Sequence, residues 1–225
     1  MSTTSTGPDF GDLIVSQRTA TITVDTGPVV SPPETPTSDP AILGLPVFIV
    51  GALALGLSLT TFLPTTAAAG ILPIVMVATG LGLVIATLWA AALGQSIVAG
   101  IFGTFAGFWL SYAALTLGLT HGWYGIQPVD VKETVGTFLI CWTVAVAMLT
   151  VATLRLPAAY SSLLGLVTLA LAVDAWAVYD TSTALSKLAG YIVLAFTANG
   201  IYLFLNATQV ALGGPAYPLG RPVIH

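Results

Sequence analysis

"DPAILGLPVFIVGALALGLSL" occupies residues 39–59, and its only charged side chain is the first. The twenty positions after Asp39 are long enough, as a helix, to cross a hydrocarbon core about 30 Å thick. The uncharged run does not stop there. No Asp, Glu, Lys or Arg occurs anywhere in residues 40–129. One crossing uses only about 20 residues, so this run alone implies several.

Composition points the same way. Of the 225 residues, 56% are hydrophobic and only 6% charged, against about 25% charged in soluble domains. So few charges could not cover a soluble surface, so most of the surface must face lipid. The net charge of −4 comes mainly from the first 39 residues, where Asp9, Asp12, Asp25, Glu34 and Asp39 face one Arg18. The absence of a basic patch argues against a nucleic-acid partner.

The expected class is therefore an all-α membrane protein with a disordered N-terminal tail. Residues 1–38 are rich in Ser, Thr, Pro and acidic groups and bury too little apolar surface to offset ordering entropy. This segment lacks the basic start and apolar stretch of a signal peptide. Residues 39–212 form the transmembrane domain, and 213–225 a short C-terminal tail. Six spans are predicted: 42–63, 71–93, 97–119, 134–154, 160–179 and 184–207. Helix is the default because spanning strands would need a closed barrel with alternating polarity. Both termini then lie on one side with Arg155 and Arg221, opposite Lys132 and Lys187, which leans toward cytoplasmic termini. Trp123, Tyr124, Trp176 and Tyr179 suit interfacial aromatic belts.

At the start of the first span, Asp39 is a good helix N-cap, and Pro40 suits the first helical position, where its missing N–H is unneeded. Pro46 sits further in and cannot donate to the carbonyl of Ile42. A broken first turn is a device transporters use near cavities.

"DPAILGL" (39–45) resembles the Asn-Pro-Ala-Pro-Leu-Gly-Leu signature of the acetate uptake transporter family, the succinate–acetate permeases. "GIFGTFAGFWLSYAAL" (100–115), "KLAGY" (187–191) with "IY" at 201–202, and "YPLG" (217–220) are similar to later family motifs, in order. The resemblance implies six helices around a central pore, assembly into a homo-oligomer (a hexamer), and proton-coupled uptake of acetate or another small carboxylate through the plasma membrane. It makes Asp39, Pro40, Ala41, Leu43, Gly44 and Leu45 the signature positions, and gives Phe48, Phe105 and Val167 the role of an apolar pore constriction. Three departures stand out: Asp39 replaces the signature Asn, Ile42 its second Pro, and Phe105 a Tyr.

Asp174 is the only acid well inside a span. Intramembrane carboxylates are costly and usually face a cavity, so Asp174 is the candidate proton relay, with Lys187 a possible ion-pair partner. Thr168 and Asn199 are candidate contacts to carboxylate oxygens, though such groups also bond neighbouring helices. The lone Cys141 reads as a small buried apolar residue. The chain shows no metal-ligand spacing, cofactor motif or nucleophile elbow, so neither an enzyme nor a cofactor is expected. Two alternatives remain: a channel for a neutral solute such as ammonia or water, and a non-transporting sensor or assembly subunit.

Overall fold

The computed structural model describes residues 38–224; the acidic tail expected over residues 1–38 lies outside them except for Ser38. Six helices long and apolar enough to cross a membrane follow one another. They are α1 (Ala41–Leu59), a composite second span ending in α2 (Gly82–Ala92), α3 (Ser96–His121), α4 (Val131–Ala152), α5 (Ala158–Asp180) and α6 (Thr183–Ala211). Short links make successive spans antiparallel, so α1, α3 and α5 run in the same direction.

The ends follow local chemistry. The Asp39 carboxylate accepts a hydrogen bond from the Ala41 N–H at 2.9 Å, and the Asp39 carbonyl accepts one from Ile42 N–H. Asp39 and Pro40 thus satisfy the start of α1. Gly122 closes α3 in the left-handed region, at φ 67°, where glycine carries no Cβ penalty. Ser182 caps α6 through its hydroxyl, which accepts from Leu185 N–H.

The second span is not a uniform α-helix. It begins with a 3₁₀ turn, Thr65–Ile71, and continues through a π-helical stretch, Ile74–Leu81, before α2. Within that stretch Thr79 is fully buried, and its hydroxyl has no hydrogen-bond partner among the described residues. In the α-helices, Thr87, Thr143 and Thr197 bond the carbonyl four residues back. A π turn alters that spacing, and Thr79 makes no such bond. Gly51 of α1 lies against it; a Cβ there would run into the Thr79 side chain.

Around the bundle α1 packs on α6, α6 on α5, and α5 on α4, while α2 and the π stretch pack on α3 and α1. The α3–α4 pair is among the loosest. Large rings bridge it: Phe108 meets Trp142 edge-on at 5.5 Å and Phe138 at 6.0 Å. Because lipid is as apolar as the core, many large side chains, such as Leu88, Met148 and Trp176, are exposed on the outside. Cys141 is among the exposed residues of α4, which corrects its reading as buried. In lipid an apolar thiol is as well placed outside as inside. Both aromatic pairs, Trp123–Tyr124 and Trp176–Tyr179, fall on one side of the bundle, since α3 and α5 run parallel.

The C-terminal segment is strapped to the body. Asn206 Oδ1 accepts from Tyr217 N–H at 2.7 Å, the Tyr202 hydroxyl donates to the Pro218 carbonyl, and Ala159 N–H donates to the Leu219 carbonyl. "YPLG" therefore secures the start of α5.

Candidate functional site: two cavities in series

Two cavities lie along the inward faces of α1, α3, α5 and α6. The outer, a vestibule of about 340 Å³, is lined in part by Asp39, Leu45, Phe102, Tyr160, Leu164 and Leu203. The inner, about 70 Å³, is lined in part by Phe48, Phe105, Val167 and Phe196 at one end and by Tyr112 and Asp174 further along. Their relation is a simple register. Leu45, Phe102 and Leu164 line the vestibule; the residues three further along the same parallel helices, Phe48, Phe105 and Val167, line the inner cavity. Three residues rise about 4.5 Å, so the cavities are stacked one helical turn apart.

The apolar layer between them is closed. The Phe48 ring meets Phe105 at 4.9 Å and Phe196 at 5.9 Å between centroids. All three are buried, as is Val167. Packed in this way the rings leave no room for water between the two cavities, and apolar constrictions of this kind can gate and select by size. Gly44 of the signature stretch helps build the layer above. A Cβ there would collide with the Phe102 ring, so the glycine lets Phe102 seat against α1 and form the vestibule floor.

Asp174 is half-buried. Its Oδ1 accepts a hydrogen bond of 3.4 Å from the Ser186 hydroxyl across the α5–α6 turn. Ser186, rather than its neighbour Lys187, is the hydrogen-bond partner that the described residues supply. Lys187 is exposed and lines neither cavity. In fact neither cavity is lined by a Lys, Arg or His among the described residues; the ionisable groups in the walls are Asp39, Tyr160, Asp174 and Tyr112.

Asn199 and Thr168 sit elsewhere. Asn199 donates to the Ala159 carbonyl and the Ser162 hydroxyl, both at 3.0 Å, tying α6 to α5. Thr168 bonds the Leu164 carbonyl and shares a 2.9 Å bond with Thr150 of α4. Their hydrogen-bonding capacity goes to packing helices. The residues that sequence reasoning did not assign to the site are Phe196, Trp109 and Tyr112. Trp109 and Tyr112 fall one and two turns beyond Phe105 on α3, a helical spacing that could have found them. Phe196 carried no such signal.

The sequence profile of the GPR1/FUN34/yaaH family matches residues 21–211. The chain belongs to this family. Among curated members of the wider set, the chain is 28% identical over 138 residues to the acetate transporter protein patA of Aspergillus clavatus, covering 60% of this chain and 56% of that one. It is 33% identical over 89 residues to the meiotically up-regulated gene 86 protein of Schizosaccharomyces pombe, covering 37% of this chain and 28% of that one. The matched segments thus span between about a quarter and just over half of these relatives' lengths. The solved structure of the bacterial acetate channel SatP superposes with a TM-score of 0.72 at 23% identity, over 81% of this chain and 99% of that one. That likeness establishes the shared six-helix fold.

Proposed function

We propose that this family member moves acetate or another small carboxylate across a membrane, and that a proton accompanies the anion. The similarity to the acetate transporter protein patA and the acetate channel SatP supports the substrate class. One observation carries the proton: each cavity holds an acid, Asp39 in the vestibule and Asp174 in the inner cavity, with no cation in either wall among the described residues. Two like charges 4 Å apart repel by about 4 kcal/mol at an effective dielectric near 20. An anion alone would be held back roughly a thousandfold by an ionised Asp174; an anion and a proton together would not. Asp174 is the proton's station, and Phe48, Phe105, Val167 and Phe196 are the size filter between it and the vestibule. The signature residues Asp39, Pro40, Ala41, Leu43, Gly44 and Leu45 build the vestibule wall and the start of α1. Function as a homo-oligomer in the cell membrane, with cytoplasmic termini, belongs to the same reading.

The test is uptake of labelled acetate by liposomes holding the purified protein, with an inward proton gradient imposed or collapsed. Gradient-dependent, competable uptake that drops at least about tenfold in Asp174→Asn supports the reading. Uptake that ignores both the gradient and Asp174 removes the proton from it.

The lack of any cation in the walls also favours a second reading, a path for a neutral solute. Ammonia or water flux above that of empty liposomes, with acetate excluded under both conditions, would decide for it.

A further inference from the structure

The inner cavity contains a polar group that the transport reading leaves unused. Trp109 lines it. The side chain is 1% exposed, and its indole Nε1–H has no hydrogen-bond partner among the described residues. An indole N–H can only donate, and a buried donor without an acceptor is costly. Phe108 holds the ring edge-on at 5.0 Å and Tyr112 at 6.4 Å, also edge-on. Phe108 has no oxygen to offer, and the Tyr112 hydroxyl makes no hydrogen bond to the indole N–H. Most of the remaining wall is hydrocarbon.

We propose that Trp109 Nε1–H is the donor that holds a carboxyl oxygen of the permeant in the inner cavity. The inference rests on the reading of carboxylate transport and names the group that recognises the carboxylate there. A carboxylate brings two acceptor oxygens and needs donors. In this cavity one proton can be shared between Asp174 and one oxygen of the permeant, and Trp109 supplies the donor for the other. If the proton leaves with the permeant, Asp174 is left ionised and takes up another proton before the next anion enters; if the proton stays on Asp174, the permeant leaves as the anion. The pairing explains how a wall without a cation takes an acid: recognition comes from one fixed N–H and one shared proton. It also favours short carboxylates, because the rest of a cavity of about 70 Å³ must hold the alkyl group against Phe and Leu side chains.

The protein has five tryptophans, so [15N]indole-labelled protein in lipid nanodiscs gives at most five Nε1–H signals. The signal lost in Trp109→Phe is that of Trp109; Trp109→Tyr gives the same assignment where the Phe variant does not assemble. Titration of the wild type with acetate should move this signal, saturating in the range that saturates uptake. Trp109→Phe should raise the KM for acetate by roughly tenfold, the worth of one charge-assisted hydrogen bond. A Trp109 signal that stays put while acetate uptake saturates overturns the inference and leaves carboxylate transport standing, as does a Trp109→Phe KM equal to wild type. Wild-type liposomes that admit no acetate overturn both.

Discussion

The Phe48 and Phe105 rings meet at 4.9 Å with their planes 59° apart, and that contact joins α1 to α3 at the level where the vestibule gives way to the inner cavity. Each ring is packed against protein on nearly every side. Opening a path here means moving side chains against a packed layer, and the proposed size filter would draw its threshold from that packing.

Trimming that layer should relax size selection. Phe48→Leu is the gentler change, since Phe→Ala in a core costs about 3–5 kcal/mol. The uptake ratio of a bulkier carboxylate, such as benzoate, to acetate should rise at least about tenfold. Competition assays in liposomes read this directly, and an unchanged ratio in both Phe48→Leu and Phe105→Leu would remove the constriction from these positions.

Gly51 and Thr79 should behave as a coupled pair. Gly51→Ala places a Cβ against the Thr79 side chain, and overpacking of this kind costs about 1–3 kcal/mol. Thr79→Val removes a buried hydroxyl that has no partner, with a gain of about 1–3 kcal/mol. For a chain of this size each kcal/mol moves Tm by about 2–4 °C. Thermal unfolding in detergent should show Thr79→Val above wild type and Gly51→Ala below it, with the alanine cost reduced in the Gly51→Ala/Thr79→Ala double variant. Additive effects would mean the two side chains do not share the space.

Asn199 and Thr168 should matter for stability and leave substrate affinity alone. Asn199→Leu removes its hydrogen bonds to the Ala159 carbonyl and the Ser162 hydroxyl, and Thr168→Val removes the link to Thr150. Interhelical hydrogen bonds in membranes are worth about 0.6 kcal/mol on average and up to about 1.7. The expected result is a Tm lower by a few degrees with KM for acetate within about twofold of wild type. A KM shift of tenfold in either variant would return that residue to the list of substrate contacts.

The C-terminal strap should be felt at the vestibule. Asn206 is buried, and its side-chain oxygen accepts from Tyr217 N–H, so Asn206→Ala leaves that N–H without its acceptor. The cost should be about 1–3 kcal/mol. Removing residues 217–225 should go further, because the Leu219 carbonyl is what accepts the Ala159 N–H, next to Tyr160 in the vestibule wall. Cysteine-accessibility labelling at Tyr160→Cys should be faster in the truncated chain than in the full one; equal rates would show that the strap does not hold the vestibule.

The number, length and order of the spans were legible from the chain alone, because burial in lipid is decided residue by residue and needs no partner. Asp39–Pro40 marked the start of α1 for the same reason: caps are local. The facing of each helix was not legible. A span apolar on every side has no polar face to turn outward, so the rotation of α3, α5 and α6 about their axes is chosen by packing. That rotation brings Phe48, Phe105, Val167, Phe196 and Asp174 to one cavity, seats Trp109 in its wall, and spends Thr168 and Asn199 on helix contacts. The π stretch at Ile74–Leu81 was hidden as well, since its residues read as ordinary helix formers in lipid. Only the tertiary structure places Thr79 against Gly51, where a wider turn of backbone and a missing side chain meet.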